Sequence, residues 1–111
     1  MGAGKALSIG AMYAVAVGAD MRTEVAGSSV ESAGGSKSVS AGETITIACG
    51  SSKLSMDKGG NVIIEASNMK INASGMVKVV ASGKVDVESS GTVNLNATGH
   101  VKVKGSLVGI N

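Results

Sequence analysis

The sequence predicts an all-β fold, an intertwined homotrimeric triple-stranded β-helix or prism built from octad repeats, and three observations predict it. Glycine recurs at Gly75, Gly83, Gly91 and Gly99, a step of eight residues. Between these glycines aliphatic and polar residues alternate. The composition also lacks what an ordinary globular core uses: among 111 residues there is no Trp, no Phe and one Tyr, while 17 are Gly. Aromatic side chains contribute the largest buried apolar areas, so a lone chain would have to build its interior from Val, Ile, Leu, Met and Ala. The glycines add a high entropic cost of folding. Regular backbone hydrogen bonds or partner chains must offset that cost. The absence of Pro suits a hydrogen-bonded ladder, and a hydrophobic content of 43%, mostly β-branched or small residues, argues against disorder.

The octads are clearest from residue 67, where Ser67 occupies a glycine slot. Counting from that slot, positions two and four hold Met69 and Ile71, Val77 and Val79, Val85 and Val87, Val93 and Leu95, Val101 and Val103. All are aliphatic, and together they form the expected trimer core. The residue between each pair is polar: Lys70, Lys78, Asp86, Asn94 or Lys102. This is the period-two signature of a strand with one buried and one wet face. Position six is small in each repeat (Ala73, Ala81, Ser89, Ala97, Gly105), as befits an inward residue with little space. Position seven is Ser74, Ser82, Ser90, Thr98 or Ser106. A Ser-Gly or Thr-Gly step turns the chain, because Gly takes positive φ freely and a hydroxyl bonds local backbone. Each octad therefore reads as one short strand and one corner.

Upstream the design is blurred. Residues 1–50 read as irregular repeats, with Gly18, Gly27, Gly35, Gly42 and Gly50 falling seven to nine apart. Within them Thr44-Ile45-Thr46-Ile47 is an alternating strand. The apolar run from Ala6 to Val17 mimics the core of a secretory signal, but Ser8 and Gly10 interrupt it, and it reads as the first repeats. Residues 51–66 read as connecting strands and a turn, with Leu54, Met56, Val62 and Ile64 in phase around Asp57-Lys58-Gly59-Gly60. Residues 67–106 are the regular octads. Residues 107–111 are a blunt apolar tip.

Repeats this short are stacking units, because none buries its apolar face alone. A single chain coiled as a β-solenoid would leave two open ends with no capping helix. Three chains wound about one axis pair each strand with strands of the others and fill a narrow dry prism. With a rung spacing of about 5 Å and about a dozen octads, the shaft would be roughly 60 Å long.

The segment VESAGGSKSVSAGETITIACGSSKLSMDKGGNVIIEA, residues 30–66, followed by V-x-V-x-x-S-G octads, resembles the C-terminal β-helix of VgrG, the trimeric spike of bacterial type VI secretion systems. It is similar in design to the needle of the T-even phage baseplate. The resemblance covers essentially the whole chain. It implies a homotrimeric, membrane-puncturing needle on a contractile apparatus, assembled in the bacterial cytoplasm and delivered to a target cell without a cleaved signal peptide. It further implies a PAAR-repeat cap protein at the tip, effectors as cargo, transient contact with the target membrane, and attachment to the secretion tube through N-terminal domains that this chain lacks. The chain therefore looks like a fragment of a longer protein. Leu107, Val108 and Ile110 break the octad where the prism should end, and three copies would form a small apolar platform suited to such a cap.

No catalytic, cofactor or metal site is expected. His100, the only histidine, occupies position one beside Met76, Lys84 and Thr92 in equivalent slots, a variable and solvent-facing place. Asp57, Glu65, Asp86 and Glu88 form no spaced pair beside a cleft, and their expected role is solubility. GAGKA at residues 2–6 lacks the hydroxyl residue and the distant glycine of a phosphate-binding loop. Asn72-Ala73-Ser74 and Asn96-Ala97-Thr98 match glycosylation acceptors, but the repeat itself generates them. Cys49, the only cysteine, permits no intrachain disulfide and is expected to be an inert packed thiol. Net charge is +2, and aromatics that could stack on bases are missing, so no nucleic-acid partner is expected. The competing expectation is a single-chain β-solenoid that presents a binding surface, of the adhesin or ice-binding type.

Overall fold

A computed structural model describes residues 4–111. Gly2 and Ala3 of the GAGKA segment lie outside them. Among the described residues the structure is all-β, with three strands and no helix. The chain divides into two units between Ala66 and Ser67.

In the first unit the chain bends at residues 10–11, 18–19, 26–27, 34–35 and 42–43, every eight residues without exception. The uneven glycine spacing therefore hides an even repeat. The reason lies in which bend residue is glycine: Gly10-Ala11, Gly18-Ala19, Ala26-Gly27, Gly34-Gly35 and Gly42-Glu43 place it at the first, the second or both positions. A small residue at the corner suffices.

After the fifth bend the chain forms a three-stranded antiparallel meander: β1 (Thr44–Cys49), β2 (Ser52–Asp57) and β3 (Val62–Glu65), in the order β1-β2-β3. Its register sets Ile45 opposite Met56, Ile47 opposite Leu54, Leu54 opposite Ile64, and Met56 opposite Val62. Alternation then gathers all six on one face of the sheet. Thr44, Thr46, Lys53, Ser55, Asp57 and Glu65 take the other. The loop from β1 to β2 is the two-residue pair Gly50-Ser51, with left-handed φ (56°) at Gly50 only, the φ pattern of a type II′ hairpin turn.

The second loop is built on Asp57. Its Oδ1 accepts from the Gly59 N–H at 2.9 Å and the Asn61 N–H at 3.2 Å, and the Asn61 side-chain amide donates to both carboxylate oxygens at 3.2 Å. Gly60 takes φ of 87°, which few side chains tolerate. Gly59 is crowded rather than strained: a Cβ there would stand 3.2 Å from Asp57 Oδ1. Lys58 ties the loop back to the start of β1, its N–H donating to the Glu43 carbonyl at 3.0 Å and its Nζ lying 3.0 Å from Glu43 Oε2.

In the second unit the bends fall at 67–68, 74–75, 82–83, 90–91, 98–99 and 106–107. The last five continue the count of eight begun at residue 10. The meander with its flanks thus occupies the length of three octads, and the repeat resumes in phase. Corner glycines Gly75, Gly83, Gly91 and Gly99 do not adopt left-handed φ, which corrects the expectation that the corners depend on it. The chain turns there through ordinary backbone conformations.

Candidate assembly surface

Inter-bend segments of the octads are extended, and two ion pairs demonstrate it. Lys84 Nζ lies 3.2 Å from Asp86 Oδ2, and Arg22 Nε lies 3.5 Å from Glu24 Oε1. Residues two apart share a face only on an extended chain. Lys84, Asp86 and Glu88 therefore line one face, and Val85 and Val87 the other.

At the corner 90–91 the aliphatic faces of successive octads turn toward each other. Val87, at position four of one octad, and Val93, at position two of the next, line a single open hollow across the bend at 90–91. Ser89, the one hydroxyl at position six, fixes this corner by accepting the Gly91 N–H at 3.1 Å. That bond is local and leaves the neighbouring strand segments unpaired.

No described residue of the chain covers this surface. Among the described residues no hydrophobic side chain is buried. The ten aliphatic residues at positions two and four run from 52% exposed at Val93 to 76% at Leu95. In residues 68–111 no backbone N–H bonds a backbone carbonyl of the same chain. An extended backbone with an aliphatic face and free ladder groups is half of a β structure; the other half must come from elsewhere or from water.

Leu107, Val108 and Ile110 are exposed too, Leu107 and Ile110 to 90% or more. Their segment curls against Gly105, where an added Cβ would meet the Leu107 carbonyl at 3.3 Å. Position six, Ala or Ser in the other octads, is glycine here, where a methyl group would be crowded.

Of the residues weighed for chemistry, His100 is exposed, as are Glu65, Asp86 and Glu88. Among the described residues no three His, Cys, Asp or Glu side chains converge as a metal-binding group. Cys49 is exposed at the end of β1 rather than packed within the chain. Asp57 does more than solubilise. The Asn61 backbone and side-chain hydrogen bonds, followed by the Gly59 N–H, hold its carboxyl below the usual range. The D-x-G-G-N spacing carries that signal, since an Asp side chain bonds backbone two residues on.

Comparison with known proteins gives no family model, no curated protein and no solved structure that matches the chain.

Proposed function

We propose that three copies of this chain wind into one β-helical shaft whose function is mechanical: a rigid, membrane-puncturing needle of the type VI secretion class, with no catalytic role. One observation carries the proposal. The chain exposes 11591 Å², whereas a compact monomer of its mass would expose roughly 5,500 Å². The excess of about 6,000 Å² per chain is more than docked subunits commonly share, since obligate interfaces run to about 5,000 Å² in total. Winding copies around one another supplies burial on that scale, because each strand segment then pairs on both edges and turns its aliphatic face inward.

A single-chain solenoid fits less well. It would stack successive octads in hydrogen-bonded ladders within the chain, and residues 68–111 contain none. Rigidity in the trimeric reading follows from continuous interchain ladders over a close-packed axis, so that bending must break bonds or open voids. By the same resemblance, the apolar residues Leu107, Val108 and Ile110 dock a PAAR-type cap or an effector, and the assembled spike leaves the bacterium through a contractile apparatus. Sedimentation equilibrium is the direct test. A mass of three chains at micromolar concentration is expected; a stable folded monomer would overturn the proposal.

A further inference from the structure

The even spacing of the bends extends the octad frame into the first unit, where Glu31 and Lys37 fall in aliphatic slots. In that frame positions two and four hold Tyr13 and Val15, then Met21 and Thr23. The next such slots on either side of the bend at 34–35 belong to Glu31, at position four, and Lys37, at position two. These are the slots of Val87 and Val93, which line one hollow across the bend at 90–91. Across the bend at 34–35 Lys37 Nζ lies 2.8 Å from Glu31 Oε1. An ion pair thus stands where two valines stand seven octads later.

It differs from the pairs Arg22–Glu24 and Lys84–Asp86, which lie two residues apart along the wet face of one extended segment. Lys37 is also the least exposed cation of the four pairs, at 44%. The hydrogen bond from Lys37, and then its charge, hold the Glu31 carboxyl below the usual range, so that carboxyl stays ionised at neutral pH.

We propose that Glu31 and Lys37 form, once per copy, an ionic layer inside the shaft, whose partners are the same two residues of two further copies, and that this layer fixes the axial register of the three chains. The inference rests on the trimeric reading. Its reason is that the regular octads are interchangeable: sliding one copy by eight residues still sets aliphatic against aliphatic, and such repeats specify register weakly. The ionic layer matches only itself. After a slip of one octad Glu31 meets Thr23 or Val39, and Lys37 meets Ser29 or Ile45. Charges buried without partners are strongly disfavoured. A single polar layer that selects register at some cost in stability is a known device in coiled coils.

The test uses the full chain carrying a nitroxide at Thr92→Cys in a Cys49→Ala background, with dipolar spectroscopy for distances between copies and sedimentation for mass. The parent is expected to give one narrow distance. Glu31→Leu with Lys37→Leu should remain trimeric, melt no lower than the parent, and add separations absent from the parent, since a slip of one octad displaces a label by about 5 Å along the shaft and carries it to the next face. Glu31→Leu alone leaves three ammonium groups uncompensated and should weaken assembly at least tenfold. A single narrow distance in the double variant, or its failure to assemble, overturns the inference. So does a Glu31→Leu variant that assembles as tightly as the parent, which would place the pair on the wet surface. A monomeric parent defeats the trimeric reading itself, and its mass separates that outcome from the others.

Discussion

In residues 44–65 each strand finds its hydrogen-bonding neighbour within the chain, and the two glycines with left-handed φ, Gly50 and Gly60, lie at its turns. In residues 67–106 the same alternation of aliphatic and polar residues finds no ladder, and a Cβ added at Gly75, Gly83 or Gly99 would meet nothing within 4 Å. The meander's glycines are explained by its own backbone. Those of the octads are explained by neither φ nor crowding within the chain. The proposed trimer supplies a reason: close approach of a second backbone at each corner is a constraint that glycine would satisfy.

The contrast can be broken most decisively at Val87. Val87→Asp should abolish the trimer, because three carboxylates would gather in a dry interior; a desolvation shift of about three pKa units alone corresponds to about 4 kcal/mol per chain. Lys78→Ala, on the wet face, should change stability by less than about 0.5 kcal/mol. Equal assembly of both variants by sedimentation would refute the assignment of faces. Gly60→Val comes next. Left-handed backbone costs a side chain roughly 1–2 kcal/mol, more for a β-branched one, and the loss should appear in exchange protection of β2 and β3 before it affects the octads.

Gly83→Ala sharpens the comparison, since the two settings predict opposite signs. In an isolated chain the substitution has open space and should stabilise by about 0.4–1 kcal/mol through the unfolded state. In a wound trimer it should overpack a corner and cost about 1–3 kcal/mol, which a thermal melt detects. The smallest effect is on pH dependence. The Asp57 carboxyl titrates below 3.8 in the fold, so its contribution is present above that value and is lost as pH falls through the folded pKa. Asp57→Asn should remove this acid-side loss and, with it, the carboxylate's contribution at neutral pH, as monitored by amide signals of Gly59 and Asn61.

Much of this organisation was legible from residue types. Thr44–Ile47 alternates and lies in β1, Asp57-Lys58-Gly59-Gly60 reads as a turn and joins β2 to β3, and the Ser-Gly and Thr-Gly steps coincide with bends. Two things were not legible. Glycine spacing upstream suggested an uneven repeat, because bends are set by small residues at either of two corner positions and only some of those are glycine. Nor do residue types single out Glu31 and Lys37, because only the bends supply a frame in which both fall in aliphatic slots. The direction of φ at the octad corners was also misjudged, since Ser-Gly suits several turn geometries and only backbone coordinates separate them.

Gly105 has a consequence for the segment that follows it. The path of residues 107–110 is steered by steric room: the Leu107 carbonyl occupies space that a methyl group at residue 105 would contest. Adding that methyl group would press on the Leu107 carbonyl, which would have to give by a few tenths of an ångström. The last corner is thus the one octad position where the chain itself, through the room it leaves at residue 105, bears on the choice of glycine.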